Sequence, residues 1–399
     1  MYAFVPGALT SRIPLLDLIP APAVILIVWL VRRSIADTKE PRASDVQSTR
    51  DRAVRVIVWL LVAWALLLWF FYGGSGYGFS WILTFAASVL TCVTGRVGRP
   101  ESESVRHAWM ISGALLGAYA VLEFALRLNP VYGPLFRALG QPQPNDWSVY
   151  RAAASFPHPL TAAMFLGVAA TLALVSWLVR RDGWYLAMAI PALAGLASTG
   201  SRASLAACAI GIAVGMMLYA KRGTGARFGR SVGLVVLAAG GALFIFNFSG
   251  VGDRLASNEA ARSTGARLDG LSVANAAAAH TNYIGSGPAT SGETARLYSP
   301  LIVENSFFQA LISLGLIGTA CLVLLFLLLV KRAHGSGDAA AAAGAVTLAV
   351  ALAGYNALDA VHSSHLLIGW AALMCLGGAA EAPAEKSAAL ATPKGRQLL

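Results

Sequence analysis

Charge is scarce in this chain. Only 12% of its 399 residues are Asp, Glu, Lys or Arg, while 57% are hydrophobic; a soluble domain carries roughly 25% charged residues. That balance excludes an ordinary soluble enzyme. Cysteine is equally sparse: Cys92, Cys208, Cys321 and Cys375 all fall inside apolar runs. No disulfide framework is therefore available for an extramembrane loop, and the four read as packing residues. Also absent are a phosphate-cradling glycine loop, a Cys-x-x-Cys pair, His-Glu-x-x-His and Gly-x-Ser-x-Gly. There are no heptads, no internal repeat and no inverted symmetry.

What the chain has instead is apolar runs of about 17–22 residues, enough to cross a hydrocarbon core of about 30 Å. They predict an all-α polytopic membrane protein with about eleven spans, near 14–31, 55–72, 79–95, 108–127, 159–179, 184–199, 203–220, 231–248, 306–330, 339–357 and 363–380. Such a bundle is one transmembrane domain over 1–399. It is stabilised by helix packing that abundant Ala and Gly permit. The Ala/Pro/Lys-rich tail, 381–399, reads as disordered.

Basic residues set the orientation. Most of the 30 cluster in alternate loops, at 32–55, 96–106, 180–181, 221–230 and 331–332, and in the tail. That face is cytoplasmic by the positive-inside rule, which puts the N-terminus outside and the C-terminus inside. The first twenty residues lack a basic stretch ahead of their apolar segment, so that segment reads as a first span rather than a cleavable signal. The sequence pI near 9.8 therefore reflects topology and not nucleic-acid binding. Arginines on the opposite face are what the rule disfavours, and several lie where an anionic headgroup of a lipid-linked substrate would lie.

The long polar interruption from Ser249 to Val303 reads as the one large outer loop. It holds Arg254, Arg262, Arg267 and Arg296 and a Gly-Ser-Gly-Pro turn at Gly285–Pro288. Residues 263–282 read either as an amphipathic helix on the outer leaflet, its arginines aimed at the bundle, or as a solvated loop helix. The loop re-enters the apolar phase through Glu304-Asn305-Ser306. Those residues suit helix capping, and equally a carboxylate base beside an arginine-rich loop. Upstream, Tyr150-Arg151 and Phe156-Pro157-His158-Pro159 form either a rigid re-entry turn or a substrate contact through Arg151 or His158. Thr199-Gly200-Ser201-Arg202 sits in a very short connection, where an arginine locked between two helices is a poor lipid anchor and a better functional group. Asp359, His362 and His365 have a metal-like spacing without a further ligand, so no metal and no cofactor is expected.

Taken in order, these elements resemble the bacterial O-antigen ligase and polymerase superfamily of integral-membrane glycosyltransferases. The likeness runs from Arg151 and Phe156–Pro159 through Ser201-Arg202 and Arg267 to Gly285–Pro288. It ends in (His or acid)-Asn-x9-Gly-x-x-Gly, here Glu304-Asn305 with Gly315 and Gly318. The resemblance covers about residues 145–320.

The resemblance implies a GT-C-like bundle in the inner membrane that acts on its periplasmic face. The implied donor is a glycan on undecaprenyl pyrophosphate, and the acceptor is another glycan or lipid A-core. Membrane lipids and a chain-length co-polymerase are further partners. It implies catalytic roles for Arg202, Arg267 and Glu304, and substrate contacts for Arg151, His158, Arg262 and Asn305. In the ligases the residue before that Asn is typically histidine, and Glu304 in its place tips the reading toward a polymerase of surface polysaccharide. Ligation, and transport of a lipid-linked polysaccharide, are the alternatives. Transporters place ionisable groups near the midplane, for which only Asp17 and Glu123 are candidates here.

Overall fold

The computed structural model describes residues 45–94, 99–138, 140, 149–220, 258–300, 302–359 and 364–377. Among them the chain is helix and turn, with no strand. The expected spans at 14–31 and 231–248, the start of the large loop and the 381–399 tail lie outside the described residues.

Helix α1 (Asp45–Phe71) is followed by α2 (Gly76–Phe85), which runs through a widened π turn, Ala86–Leu90, into a last turn at Thr91–Thr94. Next come α3 (Arg99–Leu126) and the short α4 (Tyr132–Ala138). Then follow α5 (Pro159–Arg180), α6 (Gly183–Ser198) and α7 (Arg202–Ala220). The described part of the large loop holds α8 (Asn258–His280) and α9 (Ser291–Arg296). Beyond it lie α10 (Ser306–Ser313), α11 (Gly315–Ser336), α12 (Ala339–Ala353) and α13 (Ser364–Leu376). All four cysteines lie in helices, unpaired, as their apolar settings suggest.

Among the described residues five helices are long and apolar enough to cross a membrane: α1, α3, α5, α7 and α11. Helix α5 is the axis. Of its most apolar stretch 83% is buried, against 33–44% for the other four, whose remaining surface is left for lipid. Helices α3, α6, α7 and α12 pack around it. The approach of α3 to α6 is close because both supply glycine: a Cβ on Gly195 would stand 2.4 Å from the Cα of Gly117. Small residues substitute for hydrophobic driving force in this way where lipid is the solvent.

Polar residues set the helix ends. Asp182 caps α6 through Trp184 N–H. Asp338 caps α12 through Ala341 N–H and also pairs with the buried Arg106 of α3.

One expected span is not a single helix. The apolar run 306–330 breaks at Leu314 into α10 and α11. The cause is the glycine-rich turn of the large loop, which lies against the break. Ser286 N–H donates to Ile312 O at 2.9 Å and Gly287 N–H to Ser313 O at 2.9 Å, while Leu316 N–H donates back to Tyr283 O at 2.9 Å. The Trp64 indole donates to Leu314 O at 2.7 Å. Gly315 turns the chain with φ +68°, and a Cβ there would meet Ile284 O at 2.2 Å. Only glycine fits this position.

Helix α8 covers the expected loop helix and extends it toward its N-terminus. Val273, Ala274 and Ala277 are buried against Ala295, Val303 and Ile312, with Phe308 alongside. Those three residues therefore face α9 and α10, while Leu271 of the same helix stays exposed.

Candidate functional site

The site forms where the segment before α5, the α6–α7 turn, the start of α10 and the segment after α12 meet. Arg151 is buried at 6% exposure. Its Nε donates to Thr199 O at 2.9 Å, and the neighbouring Ala152 N–H donates to Ser198 O at 3.0 Å. Thr199, Gly200 and Ser201 form a tight turn. Gly200 has φ +65°, the Thr199 hydroxyl donates to Leu196 O at 2.7 Å, and the Ser201 hydroxyl accepts from Ser204 N–H at 3.4 Å. Arg202 opens α7 directly after it, partly exposed. The turn that carries Arg202 is thus the one that Arg151 grips.

His158 caps α5, its Nδ1 accepting Leu160 N–H at 3.1 Å. That assigns the ring proton to Nε2. Burial, and then the charge of Arg151, bring its pKa down to about 4, so the ring is neutral near pH 7. It stacks on Tyr355, ring centroids 5.5 Å apart and planes 15° from parallel. The Tyr355 phenol accepts the Thr161 hydroxyl at 3.3 Å. Burial raises its pKa, the charge of Glu304 raises it further, and Thr161 and Arg151 oppose the rise. Glu304 and Arg151 therefore both lie within electrostatic reach of one phenol.

Asn305 caps α10: its Oδ1 accepts Phe307 N–H at 2.9 Å and Phe308 N–H at 3.2 Å. Ser306 is fully buried. Its hydroxyl donates to Tyr355 O at 2.6 Å and accepts from Ala357 and Leu358 N–H at 3.0 and 3.2 Å. Gln309 accepts Asp359 N–H at 3.4 Å. The first turn of α10 thereby holds the Tyr355–Asp359 segment in place and leaves Glu304 half-buried, within electrostatic reach of Tyr355.

Beneath Arg151 lies Glu123 of α3, only 1% exposed. Its Oε1 accepts the Tyr150 hydroxyl and Ala153 N–H, each at 3.0 Å, and its Oε2 accepts Ala154 N–H at 2.7 Å.

With this geometry in view, residues 186–323 match the protein-family model described as O-antigen ligase. That match, over about a third of the chain, supports a likeness to the O-antigen ligase/polymerase superfamily. Together with the long apolar helices, it points to a multi-pass membrane protein. A search of curated proteins gave no match. The matched stretch takes in Arg202, the large loop, Glu304-Asn305 and the Gly315/Gly318 pair. Arg151, His158 and Tyr355 lie beyond it.

The fold brings four of the sequence-named groups to one end of the bundle: Arg151, His158, the Thr199–Arg202 turn and Glu304. Arg262 and Arg267 lie on α8, and their side chains fall outside the described residues. Tyr355 escaped the sequence reading. The signal for it was faint, a tyrosine following Gly354 just where an apolar helix ends.

Asp359 and His365 have other partners than a metal. Asp359, 2% exposed, accepts Ser291 N–H at 3.3 Å. Burial lifts its carboxyl to about 6, with Ser291, Ser313 and Ala289 pulling the other way. His365, fully buried, bonds Leu358 O and the Thr84 hydroxyl at 2.9 Å each, its ring edge-on to Trp81 and Phe85. His362 lies outside the described residues. Among those residues no group of three or more His, Cys, Asp or Glu stands ready to hold a metal ion.

Proposed function

We propose that this protein polymerises oligosaccharide repeat units carried on undecaprenyl pyrophosphate, at the periplasmic face of the inner membrane, for a surface polysaccharide. The observation that carries this reading is the meeting of Arg151, the Arg202 turn, His158, Tyr355 and Glu304 at one end of a membrane bundle. Cationic and acidic groups stand there in reach of one another, as transfer from a pyrophosphate leaving group requires.

In this mechanism Arg202 and Arg267, supported by Arg151 and Arg262, bind the donor pyrophosphate. They stabilise the charge that grows as the sugar–phosphate bond breaks. An acceptor hydroxyl attacks the anomeric carbon from the opposite face and inverts it. The bonding pair leaves on the pyrophosphate oxygen, and Glu304 takes the acceptor proton. Neutral His158 contacts the substrate, and Asn305 holds the helix end beside it. With arginines neutralising the leaving group, the reaction needs no metal ion. Glu304, standing where the ligases typically have histidine, favours polymerisation.

Ligation is the second reading, favoured by the description of the matched family as O-antigen ligase. The test uses purified protein, a polyprenyl-pyrophosphate-linked repeat unit and a chelator, with no other acceptor. Longer lipid-linked chains establish the polymerase. Transfer only after lipid A-core is supplied establishes the ligase. Dependence on added metal would overturn the arginine-only leaving-group chemistry.

A further inference from the structure

We propose that Glu123 is a positioning residue that fixes Arg151 in its site-facing arrangement. This rests on the reading of Arg151 as a pyrophosphate ligand and extends it to a residue that touches no substrate.

Three observations carry the inference. The first is selectivity. All three donors to the Glu123 carboxylate come from 150–154, the stretch that presents Arg151: the Tyr150 hydroxyl on one side of it, and Ala153 and Ala154 N–H on the other. The second is burial. At 1% exposure a carboxylate is expensive to keep unless every contact serves it, and two backbone N–H groups and a phenol are strong compensation. The third is backbone shape. Ala154 adopts φ +50°, which a side-chain-bearing residue takes only when held. It is held by its N–H on Glu123 and its carbonyl on the Asn129 amide at 2.8 Å.

The clamp reaches further. Arg151 Nε holds Thr199 O, and Ala152 N–H holds Ser198 O, in the turn that leads into Arg202. Loosening Glu123 therefore releases the segment that ties both arginines together. Misplacement of a binding group by about 1 Å is worth about 10²-fold in rate, and that sets the expected scale.

The experiment is a double-mutant cycle in the full chain, with kcat/KM for a polyprenyl-pyrophosphate-linked glycan and the melting temperature as readouts. Glu123→Ala and Glu123→Gln are each made in the native and the Arg151→Ala backgrounds. The expected result is a loss of about 10²-fold for Glu123→Ala in the native background and little further loss in Arg151→Ala. Tyr150→Phe, which deletes one donor and leaves the carboxylate two, gives a smaller loss with the same background dependence. It carries the test if Glu123→Ala does not accumulate. Equal losses in both backgrounds would mean that Glu123 acts through general stability, and would overturn the proposal. Native activity in Arg151→Ala alone would instead remove Arg151 from the site, and the inference with it.

Discussion

His158 lies flat against Tyr355, the two rings 15° from parallel, so that the cap of α5 and the end of α12 share one aromatic contact. Neither residue is near the other in sequence. The contact joins the arginine side of the site to the carboxylate side.

That stack makes Tyr355 a test of the site. Tyr355→Phe keeps the ring and the stacking but removes the hydroxyl that accepts from Thr161. The expected outcome is a small fall in melting temperature, the equivalent of one net hydrogen bond of about 0.5–1.5 kcal/mol, together with a fall in kcat. Tyr355→Ala also loses the stack, worth about 0.5–1.5 kcal/mol beyond its buried area, and lowers the melting temperature further. A Phe variant with native turnover would confine Tyr355 to packing.

Arg202→Ala and Arg267→Ala are expected to abolish glycan transfer at normal protein level, read from the length ladder of lipid-linked products. Glu304→Gln is expected to lose about 10²–10⁴ in rate if the carboxylate takes the proton. An active amide variant would make Glu304 a hydrogen-bond acceptor only.

Asp359 predicts a pH-dependent stability. Its carboxyl sits near 6 in the fold against an ordinary 3.8. A carboxyl raised by folding binds its proton more tightly in the native state, so stability is greatest at low pH. It declines as pH rises from about 4 through 6. Asp359→Asn removes the charge and keeps a carbonyl oxygen for Ser291 N–H. The variant should melt above the native chain near pH 8, by the equivalent of no more than about 3 kcal/mol, with the gap closing toward pH 5. His158 acts with the opposite sign. Its pKa falls to about 4 on folding, so its contribution is complete above about 6.5 and is lost as pH falls through 4. A gap between Asp359→Asn and native that stays constant across the range would rule out charge as its cause.

Gly315→Ala places a Cβ 2.2 Å from Ile284 O on a backbone at φ +68°. The left-handed conformation alone costs about 1–2 kcal/mol, and the clash requires the glycine strip to shift. The expected signature is protease cleavage between 281 and 290 with transfer activity lost. Native protease resistance would show that the strip accommodates the side chain.

Much of this was legible from residue order. The places of the long apolar helices followed from hydropathy, and the cysteines' packing role from their apolar settings. The Arg151, Arg202 and Glu304 motifs could be named before their meeting was seen. The break at Leu314 was not legible, because the apolar run continues through it from Phe307 to Val330. Its cause lies in N–H groups of Ser286 and Gly287, some thirty residues upstream. Tyr355 was hidden for a related reason. Its importance comes from a stack with His158 and a bond from Thr161, and neither leaves a periodic trace in the chain.

The carbonyls of Ile312 and Ser313 belong to fully buried residues, and the glycine strip satisfies them where a continuous helix would otherwise do so. Lifting the strip would strand these acceptors together with the Tyr283 carbonyl, at the cost that buried unpaired backbone always carries. This side of the site is therefore a wall and not a door. Any substrate has to enter, and any product to leave, along some other edge.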